Sequence, residues 1–341
     1  MNLLCTVVYN KNMLIDPFKR PVSYLRVSVT DRCDFRCEYC MAENMTFLPK
    51  KDLLSLKEIE RICVSFIKLG TTKIRITGGE PLVRKNVMSL FENLGGYLKN
   101  GSLKELTLTT NGSQLEKHAQ DLFNCGVKRI NVSIDTLKPD LFGKLTRRGN
   151  LEKVLKGIYK AKEVGLKIKI NTVALKETNE HEIIDILKWA HYHNFDMTVI
   201  ETMPLGDIDY DRTDQFLPLS KVKDSLEKYY TLEKSKHYTG GPSRYYDVKE
   251  TKNRIGFITP LTHNFCELCN RVRLTCTGKL YMCLGQDDSA DFVSAARSEN
   301  WEVELKNSIL EAISRKPKGH DFVIRRKQSP SVKRHMSVTG G

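Results

Sequence analysis

The strongest constraint on how this chain can fold is a repeated exchange of periodicity. Short apolar runs alternating with a period of two fall near 24–29, 73–76, 105–109, 129–134, 166–173 and 196–201. Helical patterns intervene at 56–69, 87–98, 115–125, 151–164 and 182–193. Consecutive parallel strands need a crossover, usually a helix, so this order predicts an α/β fold. Periodicity leaves an open doubly wound sheet and a complete or partial barrel both standing. In either, ligands gather where strands end and loops begin.

With 341 residues the chain can bury a core without disulfide staples, and charged residues interrupt every apolar run well before a membrane-spanning length. Lys and Arg outnumber Asp and Glu 55 to 41, and the net charge of +14 favours an anionic partner: nucleic acid, an anionic membrane or a phosphorylated small molecule. The interleaving of aromatic and basic residues expected for base stacking is missing, which disfavours nucleic acid. The N-terminus carries no basic leader and no small-residue cleavage site, so a cytoplasmic location is expected, where clustered cysteines usually hold metal.

After about residue 203 the alternation breaks down. Asp207, Asp209, Asp211 and Asp214 crowd a turn-rich stretch, and Gly240-Gly241-Pro242 opens a region of short strand candidates with four cysteines. The expected division is 14–210 and 211–341, with the second part either packed on the sheet or standing apart. The stretch 315–334 is basic and reads on composition as a solvated or disordered tail, ending in Gly340-Gly341.

Cys33, Cys37 and Cys40 follow the first strand directly, in Cys-Asp-Phe-Arg-Cys-Glu-Tyr-Cys. On a helix they would line one face as small buried hydrophobes, but the polar Asp34, Arg36 and Glu38 between them suit a loop. Three thiolates can hold a zinc ion with one position open, or an iron-sulfur cubane with one free iron. Gly78-Gly79-Glu80-Pro81 follows the second strand, where bare backbone admits a close neighbour and the carboxylate can accept from an amine. Near the other end stand Cys266, Cys269 and Cys283, with Cys276 between the last two. On spacing alone these read as a zinc ribbon, although Asn270-Arg271-Val272-Arg273 beside them suits an anionic molecule. Arg26, Arg75 and Lys169 each lie within a short apolar strand, where a charge is costly unless an anion or acid meets it. Cys5, Cys63 and Cys125 read as buried small hydrophobes.

The spacing Cys33-x3-Cys37-x2-Cys40, with an aromatic residue before the last cysteine, together with Gly-Gly-Glu-Pro, resembles the radical S-adenosylmethionine (SAM) enzymes. Adding Cys266-x2-Cys269-x13-Cys283, Asn-Arg-x-Arg, Thr110-Asn111-Gly112 and the terminal Gly-Gly narrows the resemblance to the GTP 3',8-cyclase family of molybdenum cofactor biosynthesis, over roughly 14–341. The resemblance implies an incomplete (β/α)6 TIM-like barrel with a C-terminal region carrying a second cluster. It implies two [4Fe-4S] clusters, the first on Cys33, Cys37 and Cys40 and the second on Cys266, Cys269 and Cys283, with SAM on the open iron of the first and the guanine of GTP on that of the second. Cys276 is then a free thiol. The implied reaction is reductive cleavage of SAM to a 5'-deoxyadenosyl radical, hydrogen abstraction from C3' of GTP and attack of C3' on guanine C8.

By the same resemblance Tyr39, Gly79, Ser133 and Met203 contact SAM, and Arg26, Arg75, Thr109, Lys169, Arg271, Val272 and Arg273 contact GTP. Gly340 and Gly341 enter the active site. On the residues alone, Ser133 and Thr109 could instead satisfy backbone groups at strand ends, Met203 could fill core and Lys169 could face water. An external one-electron donor and a downstream cyclic pyranopterin monophosphate synthase are the implied partners, with no nucleic acid and no membrane. A homodimer is left open.

Overall fold

The computed structural model describes residues 13–206, 212–262, 265–320, 322, 332 and 334–340. Its first part runs β1 (Tyr24–Ser28), α1 (Leu56–Lys68), β2 (Lys73–Thr77), α2 (Val87–Lys99), β3 (Glu105–Thr110), α3 (Leu115–Asn124), β4 (Arg129–Ser133), α4 (Pro139–Thr146), α5 (Leu151–Glu163), β5 (Lys167–Ala174), α6 (Ile183–Tyr192) and β6 (Asp196–Glu201). All six strands expected from alternation are present. Helix starts carry local signals too: Ser55 and Glu58 close a capping box on α1, and the Asn150 side chain caps α5. The helix α4 was not expected, because eight residues interrupted by Gly143 are too short to show a clear helical period.

The second part contributes α7 (Arg212–Gln215), α8 (Leu219–Glu227), β7 (Leu232–Lys234), β8 (Arg244–Val248), β9 (Arg254–Ile258), β10 (Arg271–Leu274), β11 (Lys279–Tyr281), β12 (Ser289–Asp291), α9 (Val293–Arg297), α10 (Trp301–Ser314) and α11 (Met336–Thr339). These strands do not stand apart from the first six. A single twelve-stranded sheet runs β12-β11-β10-β1-β2-β3-β4-β5-β6-β9-β8-β7, with β10 parallel to β1 and β9 parallel to β6. The C-terminal chain thus lengthens the sheet at both edges. Since Arg26 on β1 and Ile200 on β6 line the same cavity, the sheet curves into a partial barrel.

Strand alternation divides the sheet into two faces. Leu25, Ile74, Leu108, Ile130, Ile170 and Val199 belong to the buried core shared with the helices. Their strand neighbours Arg26, Arg75, Thr109, Asn131, Lys169 and Ile200 turn the other way and line the cavity. A parallel strand with one polar face is unusual, and it signals a ligand site.

Candidate active site

Several elements pin the cysteine loop that leaves β1. Arg36 and Glu38 donate backbone N–H groups to the Thr146 and Leu145 carbonyls at the end of α4, at 2.9 and 3.0 Å. Phe35 meets Phe142 of α4 edge-on, ring centroids 5.9 Å apart. Asp34 accepts from Asn111 Nδ2 at 2.7 Å and Ser113 Oγ at 2.6 Å, both just beyond β3. Tyr39 donates its phenol O–H to Asp135 Oδ2 at 2.6 Å, and burial pushes the Asp135 carboxyl up to about 6. Asp135 is buried behind the loop and also lines the cavity.

The Gly-Gly-Glu-Pro turn, whose Gly78 and Gly79 line the cavity, also holds the cysteine loop. A Cβ on Gly78 would come within 2.5 Å of the Thr30 carbonyl oxygen, and one on Gly79 within 2.3 Å of that of Arg32. The close neighbour these glycines admit is the backbone of the cysteine loop, held by Gly79 N to Thr30 O (2.7 Å) and Glu80 N to Arg32 O (2.8 Å). Glu80 is fully buried and accepts from Leu82 N (3.0 Å), Thr110 Oγ1 (2.8 Å) and Asn111 N (2.6 Å). These three protein donors make Glu80 a joint between two turns. Burial nevertheless pushes its carboxyl up to about 7.

The cavity between the sheet and the loops measures about 300 Å³, and all six expected ligand cysteines line it. Cys33 and Cys37 are pushed up, first by burial and then by neighbouring acids and thiols. A trio of thiolates here therefore needs added positive charge, which an iron-sulfur cluster supplies. Among the described residues no three His, Cys, Asp or Glu side chains gather closely enough to share one metal ion. A cubane makes a different demand, since each cysteine ligates its own iron and the thiols stand wider apart. At the second trio burial pushes the Cys283 thiol up, while Arg271 and then Lys316 outweigh burial at Cys269 and bring that thiol down. Both trios fit the group expected of them. Cys276 does not line the cavity: its thiol is buried and pushed up to about 12, and its carbonyl accepts from Leu54 N at 2.8 Å. Cys63 and Cys125 are buried in the core, as small hydrophobes would be.

The basic face is denser than the sequence suggested. Arg75 Nε donates to Tyr24 Oη at 2.6 Å and its Nη1 to Thr109 Oγ1 at 3.1 Å. Lys73, missed by sequence reasoning although it shares the alternation of Arg75 on β2, reaches Glu105 at 2.8 Å and the Thr239 carbonyl at 2.6 Å. Lys169 is buried and donates to Tyr245 Oη on β8 at 3.1 Å; burial lowers its pKa. Burial would raise the Tyr24 phenol, but Arg75, Arg26, Lys73 and Arg271 together overcome it and bring it down to about 7. Burial likewise brings Arg26 down to about 10. This is an electropositive pocket built to receive an anion.

Tyr39, Gly79, Ser133, Met203, Arg271 and Arg273 also line the cavity. Val272 does not. It lies between the two arginines on β10, so alternation turns its side chain into the core, and only its backbone is left for a ligand. The Gly340 carbonyl accepts from Arg273 Nη1 at 2.8 Å. Gly340 has φ +78° and a Cβ there would come within 2.1 Å of Thr77 Cγ2, so only glycine fits this end of the chain beside β2. Gly341, Cys5, Asp207, Asp209 and Asp211 lie outside the described residues.

Two family models match in succession: the Radical SAM superfamily over residues 27–190 and Molybdenum Cofactor Synthesis C over residues 195–322. The chain is 63% identical over 329 residues to a GTP 3',8-cyclase of Rhizobium etli, covering 96% of this chain and 94% of that protein. It is 61% identical over 329 residues to a GTP 3',8-cyclase of Mesorhizobium japonicum, covering 96% and 99%. Among solved structures, Streptococcus suis SuiB bound to S-adenosylmethionine aligns over 94% of this chain and 78% of its own, with a TM-score of 0.58 and 17% identity, a likeness of fold. With such identity running along nearly its whole length, the chain belongs to the GTP 3',8-cyclase family of radical SAM enzymes.

Proposed function

We propose that this chain is a GTP 3',8-cyclase that carries out the first step of molybdenum cofactor biosynthesis. One observation carries the reading: two cysteine trios from opposite ends of the sequence line one cavity whose sheet face is basic. When bound, the [4Fe-4S] cluster on Cys33, Cys37 and Cys40 and its SAM supply a 5'-deoxyadenosyl radical, which takes hydrogen from C3' of GTP so that C3' joins guanine C8 to give (8S)-3',8-cyclo-7,8-dihydroguanosine 5'-triphosphate.

The chain's own residues do the holding. Tyr39, Gly79, Ser133 and Met203 bind SAM on the loop side of the cavity. Arg26, Arg75, Lys169, Arg271 and Arg273 bind the triphosphate, with Thr109 orienting Arg75 and Val272 contributing backbone alone. Cys266, Cys269 and Cys283 would hold the second [4Fe-4S] cluster, which would supply a binding site for the guanine of GTP. Gly340 enters beside Arg273 and narrows the space around the reacting ribose. Residues 14–210 form the radical SAM core, and 211–341 the region that completes the GTP pocket. An external one-electron donor and a downstream cyclic pyranopterin monophosphate synthase are its partners in the cytoplasm; no helix among the described residues is long and apolar enough to cross a membrane.

The test is anaerobic turnover of the purified protein with GTP, SAM and a one-electron reductant, reading 5'-deoxyadenosine and the cyclised nucleotide. Parent protein with about eight irons per chain forms both, and Cys33→Ala forms neither. Undiminished 5'-deoxyadenosine from Cys33→Ala would overturn the reading.

A further inference from the structure

Away from the sheet face, the second trio is approached by a buried charge network that no part of the reaction above uses. Asp16 carries no exposed side-chain surface and pairs with Arg20 Nε at 2.6 Å and with Lys316 Nζ at 3.9 Å. One carboxylate between two cations leaves one unit of positive charge. Three further N–H groups of Arg20 go to carbonyls, those of Cys266 (2.6 Å), Lys318 (2.6 Å) and Pro317 (2.7 Å), which clamp the Cys266 loop to the 316–318 segment. The surplus therefore resides on Lys316, whose side chain is only 2% exposed and whose Nζ donates to Cys269 Sγ at 3.8 Å. Buried charge of this kind needs a counter-charge, and the group in line for it is the thiolate of a cluster ligand.

We propose that Lys316, held in place by Asp16 and Arg20, is a positioning and tuning residue for the second [4Fe-4S] cluster, raising its reduction potential. The inference rests on the functional reading above. The sign follows from charge: reduction adds an electron to the cluster, an ammonium hydrogen-bonded to a ligand sulfur stabilises the more negative state, and burial keeps water from screening it. Asp16 moderates the effect by cancelling part of the positive field.

The test is a redox titration of the anaerobically reconstituted full-length protein, following the paramagnetic signal of each reduced cluster; the second is recognised as the one that changes when GTP is added. Lys316→Met is expected to keep the parent iron content, move the midpoint of the second cluster to more negative potential and leave that of the first in place. Lys316→Arg restores the parent midpoint. An unmoved midpoint at full iron content overturns the proposal, as does an equal shift in both variants, which would mean packing rather than charge. Should Lys316→Met fail to hold the second cluster, Asp16→Asn decides: an upward shift supports the assignment and any other result sinks it. Parent protein with only about four irons would instead overturn the functional reading, and this inference with it.

Discussion

Burial alone would keep the Tyr24 phenol protonated well above neutrality, yet four cations around it bring it down to about 7. The consequence is specific to anion binding. As pH rises through about 7 the phenol becomes a phenolate, cancels one positive charge in the pocket and weakens attraction for a triphosphate. GTP affinity of the parent should fall several-fold more across this range than that of Tyr24→Phe, as read by anaerobic binding titrations at a series of pH values. Matching pH profiles for the two proteins would contradict the role given to this side chain. Lys73 and Tyr24 were both missed in the sequence, for different reasons. Lys73 follows the same alternation as Arg75 and was there to be read, whereas only Arg26 is local to Tyr24 on β1, and the other three cations arrive from β2 and β10.

The cysteine loop shows how an element transmits order to a site. Its backbone bonds end on α4, and Phe142 of that helix, 2% exposed, braces Phe35. Phe142→Ala should cost about 3–5 kcal/mol of stability and, beyond that, loosen the loop. Chemical denaturation measures the first effect, and the rate of iron loss from the first trio to a chelator measures the second. Stability loss with unchanged iron release would mean that α4 supports the core but not the loop. Helix α4 left only a faint trace in the sequence, since its contribution lies in two carbonyls and one ring. The trio itself was legible because its spacing belongs to one short segment.

The sheet connects the two halves of the molecule. β10 pairs with β1 and β9 with β6, so a chain ending at Gly206 would leave both edges of the central strands bare. Such a fragment is expected to aggregate, and a monodisperse, folded 1–206 fragment on size-exclusion chromatography would refute that dependence. His191 adds a pH-sensitive joint to the same contact: on α6 its ring meets Thr251 Oγ1 at 2.6 Å and the Arg254 carbonyl at 3.3 Å, bridging to the β8–β9 hairpin. Burial lowers its pKa below the ordinary value of 6.5. A depressed base contributes stability in full above its unfolded pKa, and that stability is lost as pH falls through the lower folded value. The thermal stability of His191→Gln should therefore depend less steeply on pH below about 6.5 than that of the parent; equal slopes would show that His191 titrates alike in both states.

Alternation and cysteine spacing are local properties, and they determined what the sequence alone could establish: six parallel strands, a polar face with arginines on it, and two clusters of cysteines. What they leave undetermined is encounter. The two trios line one cavity, Tyr245 and Gly340 meet the cavity-lining Lys169 and Arg273, and Lys316 is buried against Cys269, all because C-terminal strands attach to both edges of the sheet. Only the tertiary structure decides this, since pairing between edges distant in sequence depends on complementary surfaces meeting across closed loops, for which no local period leaves a mark.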